Sequence, residues 1–455
     1  MTPRRVAGAV LALAGAVLAL ATPAAAHAGS LALGSSAVSI PAWLFFGTGG
    51  GVVAASFLLT SLLTDRGLLR SVHRRAGVLP SGDTLPGVGR RVAGAVGVLG
   101  LVAVVLSGLF GPSDPVANLA ILLVWAGWWA GYTMSVYLLG DSWPALNPWQ
   151  TVARWLPGPV GKYPPRLGVW PAVAGLLGLV WVEVVSPVAA SPRLLAGVVL
   201  AYSAVTLAGA WAYGDAWFRR VDPISGLFRW YGRMAPVQRT DDGLALRLPG
   251  SALAERRADG PDEVAFVVGL VWVTSFDGLV STPAWRALAA PVVGAGVPAP
   301  AVYLLALVAG FGTFLAVYRG AARLVRATAD TYVAPGAIAE RFAPSLVPIA
   351  AGYHLAHFLS YLLTLSPALA AALAGPLGGP PRVAVLPGWF GGVGLALVVL
   401  GHLLAVWVAH AVAFETFTGR LQPLRSQYPF VVVMVGYTVT SAWLLAQPYS
   451  APPFL

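Results

Sequence analysis

Ten apolar stretches, separated by short polar loops, constrain this 455-residue chain more than any other feature. A helix needs about 20 apolar residues to cross the hydrocarbon of a bilayer, and each of the ten is close to that length. Composition agrees. The chain is 58% hydrophobic and 10% charged, where a soluble domain carries about 25% charged residues. The pattern predicts an all-α fold, a polytopic integral membrane bundle of about ten transmembrane helices. With no cysteine, a disulfide framework, a Cys-ligated metal site and a thiol nucleophile are all excluded.

Met1 to Ala26 reads as a cleaved signal peptide: Arg4 and Arg5 form its charged start, Val6 to Ala21 its apolar core, and Ala24-Ala25-Ala26 its small-residue cleavage site. An uncleaved first span is the alternative. Residues 27–455 then form a single transmembrane domain. Its expected spans are Pro41–Thr64, Val92–Gly111, Leu119–Gly140, Leu167–Ala189 and Leu194–Gly214, then Glu263–Thr282, Pro300–Tyr318, Ala343–Leu365, Trp389–Ala413 and Phe430–Gln447.

The net charge of +11 raises nucleic acid as a partner, but the distribution of the arginines argues against it. The loops near 65–91, 141–166, 215–262, 319–342 and 414–429 carry 23 Lys or Arg residues, and the alternate loops carry only Arg193, Arg286 and Arg382. That asymmetry is the positive-inside signature. It predicts a multi-pass protein of the cell membrane with basic loops in the cytoplasm and both mature termini outside, and a secondary affinity for anionic lipid. The polar stretch 215–262 is too short for a catalytic domain and is expected to be amphipathic or irregular.

Four of the six histidines lie inside two late spans: His354 and His357 in Ala343–Leu365, His402 and His410 in Trp389–Ala413. An imidazole in hydrocarbon must meet a neighbouring helix, a cavity or a metal. At about 100° per residue each pair shares a helix face. His354, His357 and His402 fall at the midplane or in the outer half, and His410 lies deeper towards the basic side. Asp277, within Thr274-Ser275-Phe276-Asp277-Gly278, and Glu183 also fall in the outer half. Intramembrane acids are rare unless functional or paired. Asp277 and Glu183 are therefore the candidate catalytic groups, and the four histidines candidate ligands of a divalent metal such as zinc or copper. The same groups could instead relay protons, and each histidine has the plainer role of bonding one helix to the next. The narrowest candidate site is His357, His402 and Asp277.

Cleavage after Ala26 would expose His27, whose amine and imidazole could chelate copper; a merely polar new terminus is the simpler reading. His73, among arginines, reads as a solvated surface residue. Asp215 and Asp222 flank Arg219 and Arg220 as a salt-bridged helix end. In the run Trp143-Pro144-Ala145-Leu146-Asn147-Pro148-Trp149 two prolines preclude a regular helix, and the tryptophans suit an interfacial anchor. There is no phosphate-binding loop, no His-Glu-x-x-His and no Gly-x-Ser-x-Gly.

In Ala145-Leu146-Asn147-Pro148-Trp149, Thr274-Ser275-Phe276-Asp277-Gly278, Ser345-Leu346-Val347-Pro348-Ile349, Ala356-His357-Phe358, Gly401-His402, Ala409-His410 and Arg425-Ser426-Gln427-Tyr428, the chain resembles a family of bacterial polytopic membrane proteins known as fenitrothion hydrolases. The resemblance implies hydrolysis of a phosphotriester with release of a phenol. Two readings follow. One is an enzyme in which a metal at His357, His402 and Asp277 activates water against an apolar ester drawn from the bilayer. The other is a carrier that moves a metal ion or solute along the same residues. The expected partners are the lipid bilayer and a small hydrophobic substrate or metal ion; a second membrane subunit is a further candidate.

Overall fold

The computed structural model describes residues 50–79, 85–240, 243–375, 383–447 and 450–455. The signal peptide, His27, the start of the first expected span, and Asp241 and Asp242 lie outside them.

Helices dominate, as the apolar stretches require. In chain order they begin with α1 (Gly51–Thr60), α2 (Arg66–Arg74), strand β1 (Ala76–Leu79), α3 (Leu85–Phe110), α4 (Leu119–Leu138), α5 (Trp143–Leu146), α6 (Pro148–Ala153), α7 (Trp170–Val185) and α8 (Pro192–Tyr213). The basic segment follows with α9 (Asp215–Arg220), α10 (Pro223–Gly232), β2 (Val237–Thr240), β3 (Gly243–Arg247) and α11 (Ser251–Glu255). The last third holds α12 (Pro261–Val280), α13 (Pro283–Gly294), α14 (Ala299–Thr328), α15 (Pro335–Phe342), α16 (Val347–Ala374), α17 (Gly391–Thr416) and α18 (Gln422–Ala446).

Seven helical runs among the described residues are long and apolar enough to span a membrane: α3, α4, α8, α12, α14, the α15–α16 run and α17. Helices α1 and α7 are apolar but shorter. The molecule is thus an all-α multi-pass bundle, with one small addition.

That addition is a three-stranded antiparallel sheet, ordered β1-β3-β2, which pairs Ala76 with Arg247 and Val237 with Leu246. It lends strands to the 215–262 stretch, which was expected to be amphipathic or irregular. Its β2–β3 ladder ends at the pair Thr240–Gly243.

Helix starts follow their local chemistry. Proline stands in the first turn of α6, α7, α8, α10, α12 and α13, where its missing N–H costs nothing. Asn118, Asn147, Ser191, Asp222 and Thr282 accept N–H bonds at the starts of α4, α6, α8, α10 and α13, each cap contributing about 1 kcal/mol. The Trp143–Trp149 run therefore does contain helix. Its two prolines each start a short helix, α5 and α6, with Asn147 between them.

The basic loops gather at one end. Arg66 donates to the carbonyls of Phe414, Thr418 and Gly419, Ala258 N–H to Glu340, and the Gln422 amide to Asp330. At the other end Ser450 bonds Ser281, and the Tyr303 hydroxyl donates to Pro453. This grouping matches the alternation of arginines along the sequence.

Helices α16 and α17 pack against each other backbone to backbone. A Cβ added at Gly401 would sit 2.6 Å from the Pro348 carbonyl and 2.9 Å from the Gly352 Cα. Only glycine allows that approach, the small-residue device by which membrane helices gain packing energy.

Candidate functional site

A cavity of about 520 Å³ lies between α3, α4 and α8 on one side and α7, α12 and α16 on the other. At one end its wall carries Glu183, Asp277, His354 and His357. Towards the basic end it is bounded by Trp143, Trp149, Tyr202 and the first turn of α10.

Three of the sequence candidates come from separate helices, two from last turns and His357 from within α16. Glu183 lies near the end of α7 and Asp277 near the end of α12. His357 faces Asp277, its Nε2 at 3.5 Å from Oδ2, and their side chains retain 24% and 17% exposure. They are buried enough to feel each other strongly and open enough to be reached from the cavity. Gly278 makes room for a third group: the Tyr353 hydroxyl lies where a Cβ at 278 would be. Tyr353 also lines the cavity and interacts electrostatically with Asp277. Tyr361 interacts electrostatically with Glu183. Sequence reasoning passed over both tyrosines. Their only signal was spacing, since Tyr353, His357 and Tyr361 recur every four residues and so lie on neighbouring turns of one helix face.

His354 lies one turn nearer the basic end and is 1% exposed. Its Nδ1 is 3.1 Å from the Tyr137 hydroxyl, and its ring stands edge-on to Trp129. Its ring also meets the Trp129 backbone.

The other two span histidines lie elsewhere. Helix α17 packs on the Gly352 side of α16, and five residues on, His357 is turned about 140° away. The two histidine helices are therefore neighbours, yet His402 does not line the cavity. It is fully buried, and its Nδ1 donates to the Val398 carbonyl of its own helix at 2.8 Å. His410 is a bonded link between elements. Its Nε2 donates to the Leu63 carbonyl at 3.0 Å, and its Nδ1 lies 3.2 Å from the Gln427 amide nitrogen, which also donates to Pro423. His27 lies outside the described residues.

The aromatic wall is the larger surprise. Residues Leu122–Tyr132 of α4 are π-helical, with the widened i→i−5 bonding that is rare in helices and recurs at functional sites. This turn sets Trp125, Trp128, Trp129 and Tyr132 around the cavity. Trp143 is 5% exposed and Trp149 7%, so they are buried wall residues rather than interfacial anchors. Trp143 packs against Trp128, Tyr132 and Phe228.

Two surface expectations fail for the same reason, the folding of loops onto the bundle. His73 is 5% exposed and stacks on Trp407 at 5.3 Å. Asp222 is buried, accepting from the Tyr202 and Ser225 hydroxyls and from Ile224 N–H. Among the described residues it forms no ion pair with Arg219 or Arg220. Burial holds its carboxyl above the usual carboxylate range, against the opposing pull of those hydrogen bonds.

Chemically, the cavity offers an imidazole–carboxylate pair, a second carboxylate, neutral hydroxyls and a broad aromatic surface. Among the described residues no three His, Asp or Glu side chains converge on one metal position, whereas a catalytic zinc site takes three protein donors. The arrangement as it stands supplies an adjacent pair. Comparison of the chain with protein-family models, curated proteins and solved structures finds no match in any of the three.

Proposed function

We propose that this chain is an intramembrane hydrolase that takes a small hydrophobic ester into the cavity and attacks it with water activated by His357. The observation that carries this reading is the His357–Asp277 pair on the wall of a cavity large enough for a small molecule. Asp277 holds Nε2–H, so the basic lone pair of the imidazole is on Nδ1. Water would lose a proton to Nδ1 as its oxygen attacks the ester centre, and the same proton would pass to the leaving oxygen as that bond breaks. Asp277 stabilises the imidazolium between the two steps, and the Tyr353 hydroxyl is the neutral donor placed to receive developing negative charge. The resemblance to fenitrothion hydrolases supports an ester of the phosphotriester class. The bilayer supports delivery, since an apolar ester concentrates in it.

The test is release of nitrophenol from a nitrophenyl phosphotriester by purified protein in lipid nanodiscs, with His357→Ala as control. Activity lost in that variant supports the reading; equal activity in both removes it. A zinc or copper ion is the proposed alternative activator. It would show as one equivalent per chain in metal analysis and disappear in His357→Ala. For copper at His27, N-terminal sequencing must first find a mature chain beginning there.

A carrier is the second reading, and one observation favours it: the cavity runs from the His357–Asp277 pair to the first turn of α10 near the basic end. Uptake of solute by proteoliposomes, without any hydrolysis, would select it. Under both readings we place the chain in the cell membrane, basic end towards the cytoplasm.

A further inference from the structure

Six helices surround the cavity, and every neighbouring pair in that ring but one packs together. Helix α3 packs on α4, α4 on α16, α16 on α12 and α12 on α7, while α8 closes back onto α3. Helices α7 and α8, consecutive in the chain, do not pack along their length. They meet through the Pro187–Ala189 turn at one end, and α9 touches both at the other. There the Trp217 ring of α9 lies against Gly209 of α8, and Pro223, at the start of α10, lies against Gly175 of α7. Among the described residues these elements frame a gap in the cavity wall.

The rim of the gap is apolar. Leu179 and Val180 of α7 and Val198 and Val199 of α8 line the cavity and stay half-buried. An opening edged by such side chains, between helices of an apolar bundle, admits what dissolves in hydrocarbon and strips a hydrated ion of its water at high cost. Polarity inside the cavity also has a direction. Glu183, Asp277 and His357 stand at the end near the Pro187–Ala189 turn, and the wall towards the basic end is apolar or aromatic. An amphiphile in the leaflet on the Pro187–Ala189 side keeps its polar head near that surface and its chain towards the midplane, in the same order. It can pass sideways through the gap without turning over.

We infer that the gap between α7 and α8 is a lateral doorway, through which the cavity takes a membrane-dissolved amphiphile with a compact polar head and a single apolar chain. The head lies at the His357–Asp277 pair and the chain along the aromatic wall. The volume of about 520 Å³ is in the range of sites that hold one small molecule, room for one chain rather than the two of a phospholipid. The inference rests on the reading of the cavity as the ligand site and adds the route and the class of molecule. An ester substrate would then carry an alkyl chain, and a carrier's solute would be lipid-like.

The absence of cysteine allows the doorway to be closed reversibly. Leu179→Cys with Val198→Cys puts one thiol on each side of the gap, to be joined by a bifunctional methanethiosulfonate that a reductant later cuts, with joining confirmed by intact mass. The probe is the methyl ester of a stearic acid carrying a nitroxide near its tail, added to the full chain in phosphatidylcholine nanodiscs. Binding is read as the immobilised spin-resonance signal that unlabelled methyl stearate displaces. The unbridged chain is expected to show this signal. Bridging before the probe is added should abolish it, bridging afterwards should hold the probe against displacement, and cutting the bridge should reverse both. Each single-cysteine variant treated with the same reagent should bind as the unbridged chain does. Free entry and exit past the bridge overturns the doorway, and so does loss of bound probe when the bridge is made. Absence of a displaceable signal in wild type overturns the amphiphile assignment, while release of nitrophenol from the phosphotriester by the same preparation would leave the hydrolase reading standing. Wild type must bind the probe as the unbridged variant does, which separates a folding defect of the variant from failure of the assignment.

Discussion

Asp277 on α12 and His357 on α16 stand 3.5 Å apart on one wall of the cavity, while His402 on the neighbouring helix α17 is turned into a helix–helix seam. Two histidines that look equivalent in sequence therefore have opposite expected phenotypes. His357→Ala is expected to lower turnover by about 100-fold or more, the usual contribution of a general base, with little loss of thermal stability. His402→Ala is expected to cost about 2 kcal/mol or more by leaving a buried void and to keep turnover within a few-fold of wild type. Turnover and thermal midpoint measured on both variants check this, and the reverse pattern would move the site to α17.

The Gly352–Gly401 contact fixes where α17 lies. Gly401→Val places side-chain atoms against the Pro348 carbonyl and Gly352 Cα, and overpacking of this kind costs about 3 kcal/mol. Thermal unfolding in detergent should show a markedly lower midpoint, whereas Gly392→Ala, with nothing within 4 Å of its added Cβ, should unfold near wild type.

Gln427 and His410 bond each other with correct donor and acceptor. Gln427→Leu leaves a buried imidazole nitrogen without its partner, at about 1–3 kcal/mol. Stability should fall and ligand binding in the cavity should not. A variant that binds less ligand at full stability would contradict a purely structural role.

Asp222 predicts a pH dependence. Burial raises its pKa in the folded state, so the folded chain keeps this proton at pH values where the unfolded chain, titrating near about 4, has released it. Its contribution is fully present below about pH 4 and is lost as pH rises towards the raised folded value. Asp222→Asn keeps a competent helix cap and removes the titration. Plotted from pH 4 to 8, the thermal midpoint of wild type should decline relative to that of the variant. Parallel curves would assign the dependence to other groups.

The absence of cysteine makes the orientation directly measurable. With the basic end in the cytoplasm, a single cysteine at Arg193 should react with an impermeant maleimide in intact cells, and one at Arg239 only after the membrane is opened. Labelling in the opposite sense would invert the topology.

Much of this molecule was legible in its amino-acid order. Apolar length gave the bundle, because hydrocarbon leaves the backbone no partner but its own helix. The alternation of arginines anticipated the gathering of the basic loops at one end. Proline and Asn, Ser, Asp or Thr marked several helix starts. Asp277, Glu183 and His357 stood out because charge and imidazole are costly in an apolar span, and all three line one cavity. That His354 joins them and His402 does not was not legible. That choice depends on helix rotation, and rotation was decided by Gly352 and Gly401, two residues with no side chain to announce a contact. The aromatic wall was hidden for a related reason: a π-helical turn changes which residues share a face, and Trp143 and Trp149 face inward only because two short helices fold their loop back onto α3. Local chemistry determined what each segment is; only the packing of one helix against the next decided which polar groups share a cavity and which are sealed into a seam.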